Sequence, residues 1–406
     1  MGFFKQTIST VPLQGQTVLL RADYNVPLKS DGTIDDDFRI RSSVPTVKKL
    51  LADGCKVVVI SHLGRPDGRD TSLSLEPIAQ RLAECLGESV RFCDQTIGDK
   101  ARMAIKRAPK RSVIVLENLR FYAEEEANDT AFAQSLAKDS GARYFVQDGF
   151  GVVHRAHAST DAITQYLPSV AGLLLEREYT TIMTAMKSPQ RPLVAVMGGA
   201  KVADKIDVIK AFINVADSIV IGGAMANTFL AYKGHSVGAS KYDPDETKTL
   251  DEIYTKARAK VGDDKIDDFL VLPTDVAVGR SIEAAEARRN VLVDQIAADD
   301  MALDIGDASI ERMTSIVAGA GTVVWNGTLG YAEQQNFSHC SARLALALAT
   351  QPGIASIIGG GDTADFVLRW DARKGESFGH VSTGGGASLE LMAGQKLPGV
   401  ESLLDA

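Results

Sequence analysis

Two lysines four residues apart, Lys201 and Lys205, follow the run Leu193-Val194-Ala195-Val196-Met197-Gly198-Gly199. Five apolar residues closed by paired glycines read as a buried parallel strand ending in a tight turn, and Ala200 to Phe212 continues at helical spacing. Amides at such a strand-to-helix turn lack intrahelical partners and the helix dipole adds partial positive charge, so the place suits an anion. The spacing puts both ammonium groups on one helix face. Side by side they repel, which is poor for stability and well suited to a polyphosphate that neutralises both. A solvated face with Asp204 and Asp207 as local partners is the alternative that these residues alone leave open.

A second set of candidates lies in the first half, again where apolar runs end. The strand Thr17 to Ala22 gives way to Asp23 and Asn25 before Pro27, and Lys56 to Ile60 gives way to Ser61-His62-Leu63-Gly64-Arg65-Pro66. Ser112 to Leu116 precedes Glu117-Asn118-Leu119-Arg120, and Arg143 to Val146 precedes Asp148-Gly149-Phe150-Gly151 and then His154-Arg155. A proline cannot continue a central ladder, so Asp23 and Asn25 belong at a strand's carboxyl end, where ligands sit in open α/β sheets. Turn-making Asp and Asn, and a structural His62, are the plain alternatives. Phe38 to Ala52 reads as a helix; Arg39 and Arg41 are two apart and cannot share its face, so one faces a ligand and the other solvent. With helices over 75–86 and 128–140 linking parallel strands, Arg39, His62, Arg65, Arg120, His154 and Arg155 fall on one sheet edge. Such a cluster calls for an anion to neutralise it.

The second half repeats the layout with glycine in place of arginine. Ser218 to Ile221 ends in Gly222-Gly223, Leu270 to Pro273 ends at Thr274-Asp275, and Thr322 to Trp325 ends in Asn326-Gly327-Thr328 with Glu333 close behind. Ala355 to Ile358 ends in Gly359-Gly360-Gly361-Asp362-Thr363, and His380 to Thr383 ends in Gly384-Gly385-Gly386, which opens another helix. Glycines here let backbone approach a bulky ligand and free amides for its oxygens. Asp362 beside such amides would repel phosphate unless a cation intervenes, which makes it the Mg²⁺ candidate; a helix cap is its other reading. No G-x-x-x-x-G-K-[ST] occurs, and the one G-x-G-x-x-A, Gly359 to Ala364, is weak as a dinucleotide fingerprint.

The 406 residues exceed what one core serves, so two domains are expected: 1–174 with a tail 392–406, a connecting helix and hinge over 175–190, and 191–391. Ser188-Pro189-Gln190-Arg191-Pro192 breaks the connecting helix. Residues 1–172 carry 22 Lys plus Arg against 21 Asp plus Glu, and the rest 22 against 31, so no general basic face awaits nucleic acid. No apolar run is long enough to span a membrane, and the start lacks a leader pattern and a myristoylation serine or threonine, which points to the cytoplasm. Cys55, Cys85, Cys93 and Cys340 have no metal or disulfide spacing and are expected as reduced thiols.

Taken in order, Arg21-Ala22-Asp23-Tyr24-Asn25-Val26-Pro27, Ser61 to Pro66, Leu116 to Phe121, His154-Arg155-Ala156-His157-Ala158-Ser159, Gly198 to Val202, Trp325-Asn326-Gly327, Gly359 to Thr363 and Ser382-Thr383-Gly384-Gly385-Gly386 closely resemble the phosphoglycerate kinase family over essentially the whole chain. The resemblance implies two doubly wound parallel α/β lobes joined by a hinge helix, a substrate cleft between them, and a tail returning to the first lobe. It implies 3-phosphoglycerate or 1,3-bisphosphoglycerate on Asp23, Asn25, Arg39, His62, Leu63, Gly64, Arg65, Arg120 and Arg155. To ATP or ADP it assigns Lys201, Lys205, Gly222, Gly223, Asn326, Glu333 (on the ribose) and Gly360 to Thr363, with Mg²⁺ on Asp362. Two departures stand out: Gly149 where the family has alanine, expected to be harmless, and Thr328 where it has proline, expected to loosen a rigid turn beside the nucleotide.

The attacking oxygens of such a reaction are already ionised, so no general base is needed and none is evident. Alignment and charge compensation would fall to Arg39, Lys201, Lys205, the amides of Gly384, Gly385 and Gly386, and the metal, after closure of the lobes excludes water. A monomer is expected. A dinucleotide-dependent dehydrogenase lacks its glycine fingerprint here, another carboxylate kinase would lack the arginine cluster, and a non-catalytic scaffold would have lost Lys205 or Asp362.

Overall fold

The structure, a computed structural model, describes residues 2–283 and 287–406. Its contacts divide the chain into two compact units, the first running to Thr180 and taking in Lys396–Ala406, the second Thr181–Gln395. The division falls inside the helix Leu173–Lys187.

In the first unit β1 (Thr17–Arg21), β2 (Lys56–Ile60), β3 (Val90–Cys93), β4 (Ser112–Leu116), β5 (Tyr144–Gln147) and β6 (Ser169–Ala171) form one parallel sheet in the order β3-β4-β2-β1-β5-β6. Alternate residues of one strand feed two cores. Val18 and Leu20 join Val57, Val59 and the helices Phe38–Ala52 and Glu76–Leu86, whereas Leu19 joins Val58, Ile60 and the helices Asp99–Arg107 and Thr130–Ser140. Both faces are covered, which is why these strands are continuous apolar runs rather than alternating ones. The sheet grows from β1 in both directions, so the carboxyl ends of β1 and β5 flank the place where a ligand belongs in such a sheet. Lys396–Ala406 is tied to this unit by Lys5, whose Nζ donates to Glu401 O (2.7 Å) and Leu403 O (2.9 Å) and pairs with Asp405.

In the second unit β7 (Leu193–Met197), β8 (Ser218–Ile221) and β9 (Leu270–Val271) pair side by side in that order, all parallel. β10 (Asp275–Gly279), β11 (Arg289–Leu292) and β12 (Met301–Ile305) form a separate antiparallel sheet in the order β11-β10-β12. β13 (Thr322–Asn326), β14 (Ala355–Gly359) and β15 (His380–Val381) complete the parallel sheet, whose order is β15-β14-β13-β7-β8-β9. The run Leu270 to Pro273, expected as a strand ending at Asp275, is therefore corrected. The parallel strand stops at Val271, since Pro273 has no N–H to give a ladder, and the chain re-enters a different sheet at Asp275. The point where this parallel sheet grows both ways lies between β7 and β13, whose following turns carry Gly198-Gly199 and Gly327. Among the described residues no helix is long and apolar enough to cross a membrane.

Candidate active site

In the first unit the loops after β1, β2 and β4 are pinned to one another by polar side chains. Asp23 Oδ2 accepts from Arg39 Nη1 at 3.0 Å, and the same nitrogen donates to Asn25 O at 3.0 Å. Asn25 Oδ1 accepts from Gly64 N (2.8 Å), and Arg120 Nη1 donates to Gly64 O (2.6 Å). Gly64 is in the left-handed region, where a Cβ would also run into Leu73, so only glycine fits the turn that presents Leu63 and Gly64. Arg39 opens the helix Phe38–Ala52 and faces Asp23, while Arg41 turns to Asp37, so the two arginines do point apart.

The basic residues converge. Burial pushes the Arg120 guanidinium below its usual range, and Arg155 and Arg65 push it further, with Glu126 and Asp23 acting against them. The His62 ring is buried and its proton affinity is driven well down, first by burial and then by Arg21, Arg120 and Arg39. His154 is lowered by burial and by Arg155, whose Nε donates to His154 Nε2 at 3.2 Å. Arg65 and Arg155 remain exposed, as groups awaiting a partner do. Gly149 packs against the end of β1, where an added Cβ would come 3.2 Å from Asp23 N, so the alanine usual in the family would press on the loop that carries Asp23.

In the second unit the turns after β7 and β13 interlock. Gly198 N donates to Asn326 O and Gly199 N to Thr328 O, both at 2.9 Å, and Gly223 N donates to Leu329 O at 2.9 Å. Around Thr328 these bonds, and the close approach of Gly198 and Gly223 to the Thr328 carbonyl, tie the turn to its neighbours. Lys205 Nζ donates to Gly198 O (2.6 Å) and Asn326 O (3.1 Å). Burial lowers its pKa to about 8, against the opposing pull of Asp362 and Asp204.

Lys201 does not share a helix face with Lys205. Gly199 has φ +96°, the chain makes a single tight turn at Ala203–Lys205, and the helix proper runs Ile206–Val215, so Lys201 is exposed ahead of it. Gly222 caps the helix Gly223–Tyr232, Gly360 the helix Gly361–Trp370 and Gly384 the helix Gly385–Met392. The last two starts are neighbours, since a methyl on Gly385 would lie 3.4 Å from Gly361 N. The two helix starts, which carry the amides that no helix turn can pair, therefore lie side by side, although Gly384 N already donates to Ser382 Oγ at 3.1 Å. Asp362 stands exposed in the first turn and makes no cap, so its capping alternative falls away. Thr363 is buried with Oγ1 accepting from Gly327 N at 2.6 Å, so its side chain serves the turn. The Asn326 side chain is buried against Gly360, its Nδ2 without a hydrogen-bond partner. Glu333 is exposed in the following turn. Sequence reasoning missed a shallow recess lined by Gly223, Ala226, Asn227, Pro273, Val276, Ala302, Leu303, Asp304, Ile305 and Leu329. Half of it belongs to the unforeseen antiparallel sheet.

No group of three or more His, Cys, Asp or Glu that could hold a metal occurs among the described residues. Mg²⁺ nonetheless fits, because it is commonly held by one carboxylate plus substrate phosphates, and Asp362 offers a free carboxylate beside Lys205 and the paired helix starts.

A protein with one unit ringed by arginines and another opened by glycine turns beside a lysine is an α/β phosphotransferase. The family model described as phosphoglycerate kinase matches residues 8–395. The chain is 42% identical over 402 residues to the phosphoglycerate kinase of Pelotomaculum thermopropionicum, covering 99% of each, and 43% identical over 393 residues to that of Dictyoglomus turgidum, covering 97% of this chain and 96% of the relative. The solved phosphoglycerate kinase of Coxiella burnetii superposes with a TM-score of 0.83 at 32% identity over 98% of each chain. The chain belongs to the phosphoglycerate kinase family.

Proposed function

We propose that this protein is a phosphoglycerate kinase of glycolysis, moving a phosphoryl group reversibly from the acyl phosphate of 1,3-bisphosphoglycerate to ADP to give 3-phosphoglycerate and ATP. The observation that carries this reading is the convergence of Arg39, Arg65, Arg120 and Arg155 around Asp23 on the sheet edge of the first unit. Four guanidiniums against so few carboxylates suit a small polyanion such as a phosphorylated carboxylate.

Asp23 accepts from the glycerate hydroxyl, Asn25, its Oδ1 taken by Gly64 N, donates to the glycerate through Nδ2, His62 and the Leu63-Gly64 turn line the glycerate, and Arg65, Arg120 and Arg155 take its stable phosphate. Arg39, held in place by Asp23, compensates charge on the acyl end. In the second unit Lys205 and the amides of Gly360, Gly361, Gly385 and Gly386 bind nucleotide phosphates, the Gly384 amide being taken by Ser382 Oγ; Lys201 adds charge nearby, and Glu333 meets the ribose. The recess beside Gly222 and Gly223 receives the flat apolar base. Mg²⁺, held by Asp362 and phosphate oxygens, would supply charge neutralisation across those phosphates. Both reacting oxygens are ionised at neutral pH, so these residues act by alignment and electrostatics rather than proton transfer. We read the enzyme as a cytoplasmic monomer.

A coupled assay of ATP formation from 1,3-bisphosphoglycerate and ADP, with and without Mg²⁺, tests the reading. Turnover that requires the metal supports it; no turnover with both substrates saturating overturns it.

A further inference from the structure

Behind the arginine pocket lies a buried polar chain that the assignments above leave unused. Arg21, the last residue of β1, is 1% exposed, and its three guanidinium nitrogens point three ways. Nε donates to Ser159 Oγ at 2.8 Å, Nη1 donates to Ala22 O, and Nη2 lies 3.2 Å from His62 Nδ1. Glu125, also 1% exposed, accepts from Ser159 Oγ (2.5 Å) and Ser159 N (3.0 Å), and its Oε1 is 4.0 Å from Arg21 Nη2.

Burial raises the Glu125 carboxyl while Arg21 and the two bonds from Ser159 favour its charged form; with Glu125 a carboxylate, the proton inventory of this chain has one solution. A guanidinium has only donors, so Nδ1 of His62 is the acceptor and carries no proton. Asp23 Oδ1, 4.0 Å from Nδ1, is too far to bond a proton placed there. Ser159 has one hydroxyl proton, which goes to Glu125, leaving its lone pair for Arg21 Nε. Both donors from Ser159 meet Glu125 oxygens, as a carboxylate requires. The charged and titratable groups facing His62 are Arg21, Arg120, Arg39 and His157, with Asp23 as the one carboxylate among them, so a positive charge on the ring is opposed.

We propose that Glu125 is a positioning residue of the substrate pocket: acting through Ser159 it fixes Arg21, and Arg21 holds His62 as a neutral ring whose only proton sits on Nε2. His62 is then a constant hydrogen-bond donor to the glycerate, where an unrestrained imidazole would switch tautomer and charge near neutral pH. This rests on the phosphoglycerate reading for what the donor serves, and on geometry alone for the tautomer.

Imidazole nitrogen NMR on the isotope-labelled full chain, with His62 assigned by its loss in His62→Gln, reads the tautomer directly. The expected wild-type result is an unprotonated Nδ1 and a protonated Nε2 that do not titrate between about pH 5 and 8. A protonated Nδ1, or a ring that titrates in that range, overturns the proposal. Glu125→Gln is expected to give mixed tautomers or a titrating His62 and to raise KM for 3-phosphoglycerate about tenfold with a smaller change in kcat, since the anchor carries charge-assisted hydrogen bonds. An unchanged His62 spectrum with wild-type KM in that variant overturns it as well. Ser159→Ala removes the hydroxyl relay while keeping the carboxylate; it should move the His62 signals the same way, and it decides the question should Glu125→Gln not fold. Absence of kinase turnover with the expected tautomer intact would count against the functional reading and not against this one.

Discussion

Arg39 is held by Asp23 through an Nη1 to Oδ2 contact of 3.0 Å, and the same nitrogen reaches Asn25 O at 3.0 Å. The guanidinium is thereby fixed at one end while its remaining donors stay free for a substrate. A lysine keeps the charge but spends its single nitrogen on those two acceptors, without the further planar N–H donors that Arg39 keeps for a substrate. Arg39→Ala should lower kcat by roughly two orders of magnitude or more, a few kcal/mol of transition-state stabilisation, with a smaller change in KM. Arg39→Lys should recover only part of that loss. Steady-state kinetics decide: a raised KM with kcat intact would mean that Arg39 only binds.

Lys205 is a phosphate-binding candidate of the second unit whose charge depends on pH in the working range, where buried Asp304, raised to about 7, titrates as well. Its pKa of about 8, lowered by burial, means that the free protein loses this positive charge as pH rises through that value. Phosphates favour the charged form, so ADP affinity should be level below about pH 7.5 and fall above pH 8, by up to tenfold per unit. Lys205→Met should be weak and level throughout. Calorimetric titration of both proteins across the range is the check, and a wild-type affinity that stays level to about pH 9.5 would exclude Lys205 as a phosphate contact.

Two glycines of the same unit separate ligand approach from packing. A Cβ at Gly198 would press into the carbonyls of Gly327 and Thr328, so Gly198→Ala should destabilise the unit by about 1–3 kcal/mol. At Gly361 a Cβ meets nothing within 4 Å, so Gly361→Ala should leave thermal unfolding unchanged. It puts a methyl where the phosphates are assigned, and ADP affinity should fall at least tenfold, or about 1.4 kcal/mol. Unfolding scans with binding titrations distinguish the two, and full affinity in Gly361→Ala would remove that helix start from the site.

The strands that carry the site were legible because a doubly covered parallel sheet writes itself as short apolar runs, such as Lys56–Ile60 and Ser218–Ile221. Their ends were legible too, since Arg, His or Gly follows each run. The antiparallel sheet was not, because β11 is largely exposed and shows no clean alternation. Lys201 was misplaced because periodicity does not register a left-handed glycine that delays a helix by several residues. Glu125 was invisible for a different reason: in Ala123-Glu124-Glu125-Glu126 it reads as solvated charge, and only tertiary packing shows which of the three glutamates is buried. The one sequence signal for its partner is Arg21, a charge closing an otherwise apolar strand.

Asp148 closes β5 at the start of the helix Leu173–Lys187 and is wholly buried. Its Oδ1 accepts from Leu174 N at 2.9 Å, whereas Oδ2 has no hydrogen-bond partner, and Gly172 leaves no room for a side chain against the carboxyl. Two effects compete: the helix N-terminus favours a carboxylate, and burial opposes one. Burial wins, raising the pKa from 3.8 to about 7 despite the bonds from Thr46, Leu174 and Leu175. With the folded value above the unfolded one, the folded state binds the extra proton between about pH 4 and 7, so this group's stabilisation is complete below that window and is lost as pH rises through it. Asn keeps the Oδ1 acceptor and cannot ionise. Asp148→Asn should therefore match the wild type near about pH 4, below the window, and be more stable near pH 8 by up to about 4 kcal/mol, about three pH units at about 1.4 kcal/mol each, which raises unfolding by several degrees in a unit of this size. Calorimetric scans at the two pH values settle it, and a lower midpoint for the variant at pH 8 would mean that the helix dipole outweighs desolvation and that Asp148 is held as a carboxylate.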